Sequence, residues 1–183
     1  MKINQWTREN TADLYRQSAT AQATGAAITE QARSQLIAAC RAAYPNEACG
    51  VLAYAEQHAH HINPGNNSEH TSQGNSIVQV NTIYPIRNAA ADSARCFLFH
   101  PQDWISTYYA IQKNRQSLVG FYHSHPGSLP IPSAADYTGI QYSTAASYWI
   151  ISLNNPHIPV VQPYLFNQDT SSFEPLVLAQ VSI

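Results

Sequence analysis

The stretch GFYHSHPGSLPIPSAAD, from Gly120 to Asp136, constrains the fold more than any other part of the chain. LVGFYHSH is an apolar run of strand length, and on a strand residues two apart project from the same face. His123 and His125 therefore aim their imidazoles at one point, while Ser124 faces away. The Pro-rich segment PGSLPIP stiffens the turn that follows. Ser133 then opens a helix on which Asp136, three residues later, is its neighbour. Folding that helix back onto the strand end gathers His123, His125 and Asp136. Two His and one Asp are three zinc ligands with a fourth position free for water, the composition of a catalytic rather than a structural site.

Simpler explanations compete at each position. Ser133-x-x-Asp136 alone is the pattern of a helix N-terminal capping box, and an isolated H-x-H is often two polar residues near a strand end. Capping and ligation are compatible. The chain also carries an incomplete copy of the spacing, His58, His60 and Ser68, with Thr71 where the acid belongs. Asp136 is thus the residue that separates motif from accident. Such a site needs a base from elsewhere, and Glu47, entering the apolar run in NEACGVL, is the best candidate because an acid there is costly to bury. An exposed strand-edge glutamate is the alternative.

A chain of 183 residues suits one domain with a sizeable core. Charged residues are only 11% and the formal charge is −2 with no Lys/Arg run, which disfavours a nucleic-acid or anionic-lipid partner. Cys40, Cys49 and Cys96 lack any C-x-x-C, so reduced thiols in a cytoplasm are expected. Cys49 reads as a small buried strand residue rather than a nucleophile. The start of the chain lacks the apolar core of a signal peptide, and no stretch approaches the ~20 apolar residues of a membrane span. A soluble, cytoplasmic protein is the expectation.

Residues 1–28 read as an N-terminal arm, with ATAQATGAA as a flexible joint, and 29–183 as the domain. Thr29 is a plausible N-cap of an amphipathic helix with Ala32, Leu36, Cys40 and Ala43 on one side and Pro45 closing it. EACGVLAYA is a strand, and NSIVQVNTIYPIRN contains a second. Between them lies a polar loop, residues 57–74, whose His58, His60, His61 and His70 read as solvated groups rather than a second metal site. Pro101 sits in the first turn of another helix, HPQDWISTYYAIQKNRQ, with His100 at its start. SYWIISL, VVQPYLF and PLVLAQVSI look like further strands. The class is mixed α/β.

These residues resemble the JAMM metallopeptidases, or MPN-plus domains, whose pattern is a distant Glu followed by H-[ST]-H-P-x6-S-x2-D. Glu47, His123, Ser124, His125, Pro126, Ser133 and Asp136 all fit that pattern. The likeness runs from about Thr29 to the C-terminus and is strongest to the compact prokaryotic branch. It implies a curled mixed β-sheet flanked by helices, similar to cytidine deaminases, although the deaminase H-x-E and P-C-x-x-C signatures are absent. It further implies one Zn2+ held by His123, His125 and Asp136, with Glu47 taking a proton from the metal-bound water and returning it to the leaving amine. Ser133 would donate to the developing oxyanion, and Ser124, facing off the metal, would bond the backbone.

The resemblance also implies a partner: a ubiquitin-like or sulfur-carrier protein whose flexible C-terminal tail is cut at a peptide or isopeptide bond. The arm and the long His-rich loop depart from the compact pattern. Two other functions compete, a non-catalytic MPN interaction domain and a phage-tail or peptidoglycan-associated hydrolase. The complete ligand set weighs against the first, and the second would require an export route or another hydrolase domain.

Overall fold

The computed structural model of the protein describes residues 23–56, 76–139 and 146–181. Among them the chain runs β1 (Ala23–Thr29), α1 (Glu30–Ala43), β2 (Cys49–Tyr54), β3 (Ser76–Val80), β4 (Thr82–Ile86), α2 (Pro101–Lys113), β5 (Ser117–His125), α3 (Ala134–Gly139), β6 (Ser147–Ser152), β7 (Val160–Asn167), β8 (Ser172–Pro175) and β9 (Val177–Val181). Residues 1–22 of the expected arm, the His-rich loop and residues 140–145 after α3 lie outside the described residues.

Six strands form a mixed sheet in the order β4-β2-β5-β6-β7-β8, parallel only between β5 and β6. This is the mixed α/β class with a curled sheet flanked by helices. A second, three-stranded sheet, β3-β1-β9, is parallel throughout.

That second sheet changes the reading of the N-terminal region. The small-residue stretch expected to be a flexible joint is in part β1, paired on both edges, with Ala26 and Ile28 buried. Its Gly and Ala residues permit close approach: a Cβ on Gly25 would stand 3.3 Å from the Val177 carbonyl oxygen. The run NSIVQVNTIYPIRN likewise holds two strands, one in each sheet. Asn81 makes the break, since its Oδ1 accepts from the Ala55 N–H at 3.0 Å and its Nδ2 donates to the Ala55 carbonyl at 2.7 Å. An Asn side chain that satisfies a neighbouring backbone in place of a ladder ends a strand.

Thr29 closes β1 and caps α1, its Oγ1 accepting the Ala32 N–H at 3.2 Å. Ala32, Leu36, Ile37 and Cys40 form the buried stripe of that helix. They meet Leu52, Tyr122, Trp149 and Ile151 in the larger core. The other face of the sheet packs Val51, Ala53, Ile86 and Leu118 against Ile111 of α2, with Trp104 and Phe121 alongside. Alternation along β5 therefore sends Tyr122 and Ser124 toward α1, and Phe121, His123 and His125 toward the α2 side. Gly50 permits this packing, because a Cβ there would overlap the Tyr84 carbonyl and the Tyr122 ring.

Candidate metal centre

At the end of β5, His123 Nε2 and His125 Nε2 lie 3.1 Å apart. Asp136 Oδ1 is 3.1 Å from His123 Nε2, and Asp136 Oδ2 is 3.7 Å from His125 Nε2. All three side chains are buried, less than a tenth exposed. These donors, which lie within 4.8 Å of one another, suit a zinc ion on their own chemistry. Tetrahedral ligands at about 2.0–2.1 Å from zinc stand roughly 3.3 Å from each other, and the observed separations bracket that value.

The surroundings orient the donors. His125 Nδ1 is 2.8 Å from the Leu129 carbonyl oxygen. A proton on Nδ1 donates to that oxygen and leaves the Nε2 lone pair for a cation. Ser152 Oγ donates to Ser128 O at 2.6 Å and Tyr164 Oη donates to Pro130 O at 2.6 Å. Three consecutive carbonyls of the Pro-rich loop are thus each fixed by a side chain from β6, β5 or β7. The loop ends at Ser133, whose N–H and Oγ–H both donate to Asp136 Oδ2, at 2.6 and 2.7 Å, while Ser133 Oγ accepts the Asp136 N–H at 3.3 Å. The capping pattern and the converging acid are the same residues: the cap engages Oδ2 and leaves Oδ1 facing His123.

Electrostatics favour a cation here. Burial works against the Asp136 carboxylate, but bonds to His123 and His125 outweigh it and hold the acid well below its usual range. Burial also opposes a charged His125, yet the bonds to Asp136 and the Leu129 carbonyl, with the charges of Asp136 and Glu47, raise its pKa. A site that draws a proton in this way has negative potential for a divalent ion, and the two compete for the same nitrogen.

Glu47 is buried, 6% exposed, just before β2. Burial is the main cause that pushes its pKa up from 4.5 to about 7; His125 opposes this, and Asp136 and Asp92 add to it. The solvent-exposed alternative is therefore excluded. Ser124 faces away from the His pair, as expected: its Oγ accepts the Ala48 N–H at 2.8 Å and its N–H donates to Ala48 O at 2.9 Å. That clasp ties the residue after Glu47 to the residue between the two histidines.

Cys49 is buried, with Sγ 3.4 Å from the Ile86 carbonyl oxygen, and His100 stands at the N-cap of α2 beside Arg87 and Asp103. Neither joins the centre. Also at the centre are Phe97, whose ring stacks on His123 at 4.8 Å, and Ser152, Tyr164 and Asn88, which hold its loops. Their local sequence carries no spacing signal, because each works across the fold.

A family model described as prokaryotic homologs of the JAB domain matches residues 29–163. A desampylase of Haloferax volcanii is 35% identical over 92 residues, 50% of this chain and 52% of that protein, so the chain spans about half the length of this curated relative. A protein of Desulfitobacterium hafniense solved in solution has a TM-score of 0.68 and 25% identity, covering 86% of this chain and 94% of its own. One from Salinibacter ruber has a TM-score of 0.55 and 22% identity over 83% of this chain and 90% of its own, a likeness of fold alone.

Proposed function

Because the chain belongs to the prokaryotic homologs of the JAB domain, the compact JAMM type, we propose that it is a zinc-dependent peptidase or isopeptidase acting on the C-terminal tail of a ubiquitin-like or sulfur-carrier protein. The observation that carries this reading is the convergence of His123, His125 and Asp136 beside a buried Glu47. The similarity to a desampylase supports the substrate class.

In this reading His123, His125 and Asp136 hold the metal. Zinc supplies Lewis acidity, polarising a carbonyl and bringing the ionisation of water toward neutral pH. Glu47 takes the proton from the attacking water and returns it to the departing amine. A carboxyl group lifted toward neutrality suits both halves of that transfer. Ser133 keeps Asp136 in place through its N–H, and its one hydroxyl hydrogen would turn from Asp136 Oδ2 to the oxygen of the scissile carbonyl as charge develops there. His125 keeps its Nδ1 proton on Leu129 O throughout, which fixes the ring. No helix among the described residues is long and apolar enough to cross a membrane, and a cytoplasmic setting fits a substrate of this kind.

The test is direct. The protein is incubated with a ubiquitin-like domain whose Gly-Gly end is extended by a peptide, and with the same domain joined to a lysine side chain, with zinc or with chelator. Mass spectrometry should show release at the Gly-Gly end only with zinc. One equivalent of bound zinc and no cleavage of either substrate would favour a non-catalytic interaction domain.

A further inference from the structure

Asn88 follows β4, at the root of the segment 89–98. That segment closes through an antiparallel bridge between Asn88 and Phe99, with Ala89 N–H on Leu98 O at 2.7 Å and His100 N–H on Arg87 O at 3.0 Å. The Asn88 side chain reaches both ends of this loop and a third place. Its Nδ2 donates to Glu47 O and to Cys96 O, both at 3.0 Å, with Ser93 O a longer contact at 3.4 Å. Its Oδ1 accepts from the N–H groups of Ala90 at 2.9 Å and Leu98 at 3.1 Å. Both amide hydrogens and both oxygen lone pairs are in use.

Two of these bonds bracket Phe97, the residue whose ring stacks on His123 at an interplanar angle of 22°. The same loop holds Glu47 from both sides: Ser93 O accepts the Glu47 N–H at 2.7 Å, and Asn88 takes the Glu47 carbonyl. Ser93 Oγ also donates to Asn46 Oδ1 at 2.9 Å. With Ser124 clasping Ala48, the peptide groups on either side of the Glu47 side chain are fixed.

We propose that Asn88 is a positioning residue: a single carboxamide that locks Glu47 and Phe97 to one loop and so holds the acid in fixed relation to the ring that stacks on His123. The assignment rests on Glu47 serving as the base of the proposed hydrolase. Asn is suited because the place needs two donors and an acceptor on a short arm. Asp would face the Glu47 and Cys96 carbonyls with a carboxylate, leaving both without a donor. Gln carries the amide one methylene too far.

The experiment uses the full chain by NMR, with zinc and without, for Asn88→Ala and Asn88→Asp. In both variants the Glu47 amide should exchange at least tenfold faster, while the Ala48 amide, held by Ser124, keeps its protection. The upfield ring-current shift of the His123 ring protons should shrink. Asn88→Asp keeps Oδ1, so Leu98 should stay protected there and lose protection in Asn88→Ala, a pattern that general loosening does not give. With the Gly-Gly substrates, kcat should fall 10- to 100-fold at unchanged KM and unchanged zinc content. Unaltered Glu47 exchange and an unaltered His123 shift would overturn the proposal, as would altered exchange with wild-type kcat. If Asn88→Ala does not fold, Asn88→Asp decides on the same readouts. A zinc-loaded wild type that cleaves no tail would sink the hydrolase reading, and the exchange measurements would still decide whether Asn88 holds the two residues.

Discussion

His125 is oriented by a backbone oxygen rather than by a second carboxylate: its Nδ1 lies 2.8 Å from Leu129 O. The loop that carries Leu129 is in turn held at Ser128 by Ser152 and at Pro130 by Tyr164. Partners that orient a metal-binding imidazole typically alter affinity by about 10- to 100-fold when removed. Ser152→Ala combined with Tyr164→Phe should therefore weaken zinc binding about tenfold, read by competition with a chromophoric chelator. Unchanged affinity would mean that Leu129 is held without these two bonds.

Asp136 serves two ends, a helix cap and a cation site, and the two can be separated. Asp136→Asn keeps an oxygen for the Ser133 N–H and hydroxyl but gives up the charge. Zinc content by mass spectrometry should fall to near zero, while in chelator the retained cap should leave its thermal midpoint above that of Asp136→Ala. Asp136→Ala should lose the zinc and, in addition, about 1 kcal/mol of capping. An Asn variant that still binds one equivalent of zinc would reject this acid as a ligand.

Glu47→Gln should retain zinc and lose turnover by about 10²- to 10⁴-fold. The same substitution has a signature in the zinc-free protein. The folded pKa lies above the unfolded one, so the folded chain holds the extra proton between about 4.5 and 7 and loses stability as pH rises through that window. Relative to wild type, Glu47→Gln should gain up to about 3 kcal/mol between pH 4 and pH 8 in chelator, measured by urea unfolding. A flat difference would place the carboxylate in water.

The thiols should divide two to one. Burial pushes Cys40 and Cys49 up to about 12, with the Glu47 charge adding to Cys49. At pH 8 neither offers appreciable thiolate. Ellman's reagent should titrate Cys96, which is half-buried, well before the other two, which should react on unfolding.

Much of the centre was legible because its residues obey local periodicities. His123 and His125 obey the strand's period of two, and Ser133 and Asp136 the helix's spacing, so the spatial grouping followed from chain geometry. Thr29 as cap and Pro101 in a first turn were legible for the same reason. What stayed hidden depends on sites far apart in sequence. Asn88 and Glu47 are joined across 41 residues, and Tyr164 and Pro130 across 34. β1 was hidden because small residues write flexibility and close strand packing with the same letters. β8, SFEP, is only four residues long and ends on Glu and Pro, too little for an alternation to register.

The parallel pairing of β1 with β9 joins strands from opposite ends of the described chain. Every described residue of the candidate centre, and the whole six-stranded sheet, precedes Val177, whereas β1 waits for a neighbour some 150 residues downstream. The edge of β1 that β9 covers therefore cannot be closed before Val181 has been synthesised. Until then β1 presents an open edge in the nascent chain, the state in which such edges are most prone to pair wrongly.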